Sequence, residues 1–193
     1  FTGLLTNIPF LIGAAATAAV AGFGAMIKSS IDMADSLNEM SQRTGASVEF
    51  LSKMAFVAEL SGTSIENLEV GFKKLSRAMN DASNGLATAK RPFDQLGISV
   101  NDAEGNLRDV EEVVFDVADR FAMMKDGAQK TAMSMEIFGR SGASLIPILN
   151  EGSTGLQKQF EVAKQLGVEI STNTAKQADE FKDNLTLLEY SMK

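Results

Sequence analysis

IENLEVGFKKLSRAMNDA, residues 65–82, is the stretch whose reading settles the fold class. Its apolar positions are Ile65, Leu68, Phe72, Leu75, Met79 and Ala82, separated by steps of three, four, three, four and three. Alternation in twos would mean a strand, whereas this spacing keeps every apolar side chain on one face of a helix, in a narrow coiled-coil-like seam. Thr63 with Glu66 reads as a capping box ahead of it, and Asn84-Gly85 closes it. A seam of this kind pairs either within the chain or between chains, and the spacing is the same in both cases.

The same grammar extends in both directions. Upstream, Ser47 is an expected N-cap for a helix whose face is Val48, Leu51, Ala55 and Ala58, stopped by Gly62. Downstream, residues 92–96 predict one helical turn behind Pro92. Ile98-Ser99-Val100 and Leu107-Arg108 then flank a Gly-containing loop, the strongest β signal in the chain. Two such strands are marginal alone and must rest on helices. Asp109 with Glu112 predicts the start of a helix faced by Val110, Val113, Val114, Val117, Phe121 and Met124. Asp126 with Gln129 predicts the next, faced by Ala128, Ala132, Met135 and Phe138. A short apolar piece at residues 144–149 and a helix marked by Leu156, Phe160 and Ala163 follow, and residues 168–170 offer a third short strand. Thr174 with Gln177 opens a last helix with a second three–four seam: Ala178, Phe181, Leu185, Leu188 and Met192.

The N-terminal stretch has a different texture. Residues 1–27 carry no charge, and their densest part is PFLIGAAATAAVAGFGAMI, residues 9–27. The run has the length of a bilayer span, about 20 apolar residues, yet Ala and Gly dominate it. Gly13, Thr17 and Ala21 recur at four-residue spacing, which favours close approach of helices. The stretch either lies in a membrane or packs inside protein. It makes a poor signal peptide, lacking a basic start and exceeding the usual apolar length. Beyond Lys28 the helix turns amphipathic along Ile27, Ile31, Ala34 and Leu37 and continues to about Arg43, with Thr44-Gly45 as its end. The expected organisation is an apolar helix running into a stalk (1–45), a compact helical module with a small β ribbon (46–170), and the start of a further helix (171–193). The fold class expected is mainly α: a multi-helix bundle with at most a two- or three-stranded ribbon. The first and last residues read as cuts within a longer polypeptide.

Composition narrows the chemistry. The 193 residues include no Cys and no His, which removes thiol chemistry and the usual general base and metal ligand. Ten Met and twelve Phe suit adaptable helix–helix contacts. A net charge of −7 argues against binding a phosphate backbone. Residues 94–126 hold nine acidic and three basic side chains and read as a solvated polar face. Asp102, Glu104 and Asn106 alternate like calcium ligands, but Gly105 and Val113 break the EF-hand pattern, so a turn is expected. Gly139-Arg140-Ser141-Gly142 is not a nucleophile elbow and reads as a helix end and turn. Lys73, Lys74, Arg77, Lys90 and Arg91 form a basic cluster that reads as a solvated helix face. No catalytic residue, metal site or cofactor is expected, and the chain reads as a non-enzyme.

Four stretches in order carry a resemblance: MSQRTG with SVEFL (40–45 and 47–51); AELSG leading to FKKLS (58–62 and 72–76); LGISV through GNL (96–100 and 105–107); and FGRSG followed by LIPIL (138–142 and 145–149). Together they resemble the core region of tail tape-measure proteins of long-tailed bacteriophages and prophages, over about residues 28–193. The resemblance implies a structural virion protein that lies in the tail lumen, sets tail length during assembly and leaves before the DNA. Its implied partners are further copies of itself, tail tube, tail tip or baseplate proteins, and tail assembly chaperones, with no sequence-specific nucleic-acid binding. On ejection its apolar segment would meet the host inner membrane and help DNA across. The residues expected to carry that role are Phe10, Leu11, Ile12, Val20, Phe23, Met26 and Ile27, with burial inside protein as the other reading. Frequent Gly, Pro and capping residues imply a globular module here, with ruling helices elsewhere in the parent chain. The alternative is a membrane-anchored helical interaction domain or pore-forming effector unrelated to phage.

Overall fold

The computed structural model describes residues 19–191; for residues 19–31, Phe181 and 184–191 the description is of the backbone alone. Phe10, Leu11, Ile12 and Met192 lie outside the described residues. In chain order the elements are α1 (Ala19–Thr44), α2 (Val48–Leu60), α3 (Ile65–Ser83), α4 (Ala87–Leu96), α5 (Val110–Met123), α6 (Ala128–Phe138), a 3-10 turn (Gly139–Ser141), α7 (Gly142–Leu149), α8 (Gly152–Gln165) and α9 (Thr172–Ser191). The protein is mainly α, as its apolar spacing predicts.

Helix α3 lies at the middle of the bundle, against α1, α2, α4, α6 and α7. Its seam explains the position. Leu68, Phe72, Leu75 and Met79 are each at most 1 % exposed, and Ile65 is partly buried at the edge. Burying side chains of this size contributes about 1.5–3 kcal/mol apiece. This seam is therefore filled within the chain. Gly71 shares the face, and a Cβ there would stand 2.6 Å from Leu145 Cδ1, so the bare backbone is what admits α7. Above the seam, Phe50 meets Phe72, Phe115 and Phe160 with ring centroids 5.6–6.0 Å apart, joining α2, α3, α5 and α8.

Several local expectations are corrected. No strand forms among the described residues: the ribbon reduces to an isolated antiparallel bridge between Asn101 and Leu107. The chain leaving α4 curls back instead, through left-handed Gly97 (φ 66°), with Ile98 N–H donating to Phe93 O. Residues 168–170 connect α8 to α9 rather than adding a strand. Helix α4 is more than a turn, running from Ala87 with Pro92 inside it; the missing amide faces the carbonyl of exposed Thr88. The cap of α3 is Ser64, whose hydroxyl accepts from Asn67 N–H, while the Thr63 hydroxyl donates to Ser144 O at 2.6 Å. Asp109 occupies the N-cap of α5 without a side-chain cap bond, and Glu112 pairs with Arg108 instead. Helix α9 begins two residues before Thr174, capped by the Ser171 hydroxyl, which accepts from Thr174 N–H.

The largest miss is α6. Gly127, not Asp126, is its N-cap, and its buried residues are Lys130, Met133, Ser134, Ile137 and Phe138. Met135 is 48 % exposed, and Ala128 and Ala132 are exposed too. Lys130 explains the rotation. Its stem is buried and its ammonium donates to Met124 O at the end of α5 and to Asp126 at 2.9 Å. A cation at a helix C-terminus is favourable, so a charged residue takes an inward position. The 3-10 turn after α6 follows from two glycines: Gly139 adopts φ 68°, and a Cβ on Gly142 would fall 2.2 Å from Ser134 O.

Candidate functional site: an antiparallel helical stem

Helices α1 and α9, from opposite ends of the chain, pack along one another. Their direction follows from two contacts. Lys182 Nζ donates to Asp35, and three residues further along α1, Asn38 Nδ2 donates to Asp179 Oδ2 at 3.0 Å, three residues back along α9. An advance on one helix is a retreat on the other, so the pair is antiparallel. Ala34, Leu37 and Met40 on α1 and Ala175 and Ala178 on α9 are buried between the pair and the bundle. Further along the same helices, the backbone carries the predicted apolar positions Val20, Phe23, Met26 and Ile27 on α1 and Phe181, Leu185 and Leu188 on α9.

The stem is fastened to the bundle where α9 starts. Glu49, in the first turn of α2, accepts from Thr172 N–H at 2.6 Å and from the Thr172 hydroxyl at 2.8 Å. Ile170 N–H donates to Ser52 Oγ at 3.1 Å, and Lys53 pairs with Glu169 at 2.9 Å while lying 5.5 Å over the Phe160 ring. Burial raises the Glu49 carboxyl, but the Thr172 hydrogen bonds outweigh it, so it lies below the usual range. An anion at a helix N-terminus is where both the free amides and the helix dipole favour it.

The stem gathers acidic side chains around Lys182, of which Asp35 alone is buried. Asp35 is 5 % exposed, and Asp32 also lies 3.9 Å from Lys182. Asp179 is held above the usual range by desolvation first, then by its hydrogen bond with Asp35 and by the charges of Asp35 and Asp183. Lys182 is pushed up, chiefly by its hydrogen bond with Asp35.

The acid of residues 94–126 is mostly exposed, as a solvated polar face would be, but two of its half-buried carboxylates also hold the starts of other helices. Glu111 on α5 accepts from Ser47 N–H at 2.7 Å at the start of α2, and Asp119 accepts from Ser153 N–H at 2.7 Å at the start of α8. Arg108 donates to Asp116, Glu112 and Ser99 O. Asp102 turns its carboxylate onto the amides of Glu104 and Asn106, a loop closure. In the basic cluster, Lys73, Arg77, Lys90 and Arg91 pair with Glu69, Asp81, Asp94 and Glu136. Ser141 is buried in the turn after α6, as a structural residue would be.

Among the described residues, no three His, Cys, Asp or Glu side chains group as a metal site, and no helix is long and apolar enough to cross a membrane. One concavity among the described residues, about 720 Å³, is an open groove lined by Leu96, Met123, Met124 and Met133. No protein-family model, curated protein or solved structure matches the chain.

Proposed function

We propose that this chain is a module of a phage tail tape-measure protein: a helical lobe on a two-helix stem within a longer structural polypeptide. The observation that carries the reading is the ordered set of four motifs, whose residues hold the bundle together. Thr44 of the first bonds to Met40 O and accepts at its carbonyl from the Ser76 hydroxyl of the second. Gly139 of the fourth would crowd Lys74 of the second if it bore a Cβ. Ile98 and Val100 of the third are buried in the same core.

In this reading the module sits in the tail lumen with its copies during assembly, and the apolar residues 1–27 meet the host membrane on ejection. The test is tail length by electron microscopy after an in-frame deletion in a long helical part of the parent gene outside this module. Shortening in proportion to the residues removed supports the ruler role. Unchanged tails would overturn it and leave a membrane-anchored helical interaction domain as the better account. Liposome flotation with and without residues 1–27 tests the membrane step, and equal flotation removes it.

A further inference from the structure

We propose that residues 45–171 form a length-neutral side lobe: chain arriving along α1 returns along α9, so everything between them adds nothing to the axial reach of the polypeptide. The inference rests on the tape-measure reading and adds a geometric constraint to it. The Asp35–Lys182 and Asn38–Asp179 pairs fix the two helices antiparallel. The Glu49–Thr172 and Ser52–Ile170 bonds place the start of α9 beside the start of α2, a few residues after α1 ends. Both helices therefore meet the lobe at one end of the stem. Continuing the register brings Ser191 level with the backbone of Met26, so the other ends of the two helices also share a side. In a parent chain that continues past both helices, the two continuations leave in the same direction. A continuous helix gains about 1.5 Å per residue, whereas an excursion that returns to its starting level gains none.

The experiment has a physical arm and a biological arm. The protein lacks Cys, so Cys pairs introduced into the full chain at exposed sites carry spin labels cleanly. Ser36 with Asp183 and Gln42 with Asn173 are suitable, each spanning the stem at a different height. In an antiparallel pair both distances are short, set by one interaxial spacing of about 10 Å plus the label arms. A parallel arrangement sets the two pairs apart by about 24 Å of axial offset in total, so the two distances cannot both be short, and that result overturns the proposal.

In the phage, replacing residues 45–171 by a short turn is expected to leave tail length unchanged. Shortening by about 190 Å, the contribution of the same residues as through-going helix, overturns the proposal. Adding two heptads to each of α1 and α9, in register, is the milder variant and decides the matter if excision prevents assembly. Unchanged tails support the lobe, and tails longer by about 42 Å overturn it. The helical deletion outside the module, made in parallel, separates the two ideas: tails indifferent to that deletion reject the ruler reading, while the label distances still judge the stem.

Discussion

Glu49 and Thr172 are 123 positions apart, and the Glu49 carboxylate takes both the backbone N–H and the hydroxyl of Thr172. It thus ties the first turn of α2 to the first turn of α9. Glu49→Ala removes an N-terminal carboxylate and strands a partly buried amide, a loss of about 1–2 kcal/mol. The expected result is a lower urea midpoint, with hydrogen exchange quickened first at residues 172–175. The pH dependence has a definite sign. The folded carboxyl lies below its ordinary 4.5, so its contribution is present above that value and is lost as pH falls through the folded pKa. Wild type and Glu49→Ala should converge in stability in acid; a gap that persists there would refute the assignment.

Asp179 has the opposite sign. Its folded pKa is raised above the ordinary 3.8 by desolvation and by Asp35 and Asp183. Its favourable contribution is therefore fully present below that value and lost as pH rises through the folded pKa, leaving carboxylates crowded at neutral pH. Asp179→Asn keeps an oxygen for Asn38 and removes the charge. The variant is expected to raise the thermal midpoint at pH 7 and to flatten its rise on mild acidification. A lower midpoint at pH 7 would show that Asp179 is neutralised by its surroundings instead.

Lys182 faces the same carboxylates. Asp35 has a side chain only 8 % exposed, while Lys182 is 47 % exposed, so the pair is half desolvated. Lys182→Met leaves Asp35 buried beside Asp32 and Asp179. The expected cost is about 1–3 kcal/mol, below the 3–5 of a fully buried pair because water reaches the lysine. Adding Asp35→Asn should recover most of it. A double-mutant cycle measures the coupling, and strict additivity would mean that the contact carries no energy of its own.

What was legible in the sequence tracks how local the cause is. The α3 seam needed only the spacing of Leu68, Phe72, Leu75 and Met79, because burial follows period when one face is uniformly apolar. Helix α6 defeated the same rule, since Lys130 and Ser134 go inside for partners that periodicity does not see: the end carbonyl of α5 and the close approach of Gly142. Thr63 and Ser64 are adjacent hydroxyls, and Ser144, 81 residues from Thr63, decides which one caps α3. Glu111 and Asp119 looked like surface charge because the amides they hold, Ser47 and Ser153, are 64 and 34 residues away. The stem was hidden for the same reason. Ala178 opened a visible seam, but nothing near it in the chain names α1 as the partner.

Three glycines should rank by what surrounds them rather than by helix propensity. A Cβ on Gly142 would meet Ser134 O at 2.2 Å and Met135 N at 2.9 Å, both backbone atoms of α6 that move only with the whole helix. On Gly71 the nearest atom, at 2.6 Å, is a methyl of Leu145, which turns aside at the expense of core packing. On Gly62 nothing lies within 4 Å, and the φ of +70° alone resists substitution. Gly142→Ala should therefore destabilise most, about 3 kcal/mol or more, as α7 is levered off α6. Gly71→Ala should cost about 1–2 kcal/mol, its helix-propensity gain offsetting part of the overpacking. Gly62→Ala should cost about 1 kcal/mol, the ordinary penalty of a left-handed L-residue. Chemical denaturation of the three variants measures the order directly. If Gly142→Ala proved as mild as Gly62→Ala, the tight α6–α7 crossing would have to be abandoned, because no side chain at that position can move to relieve it.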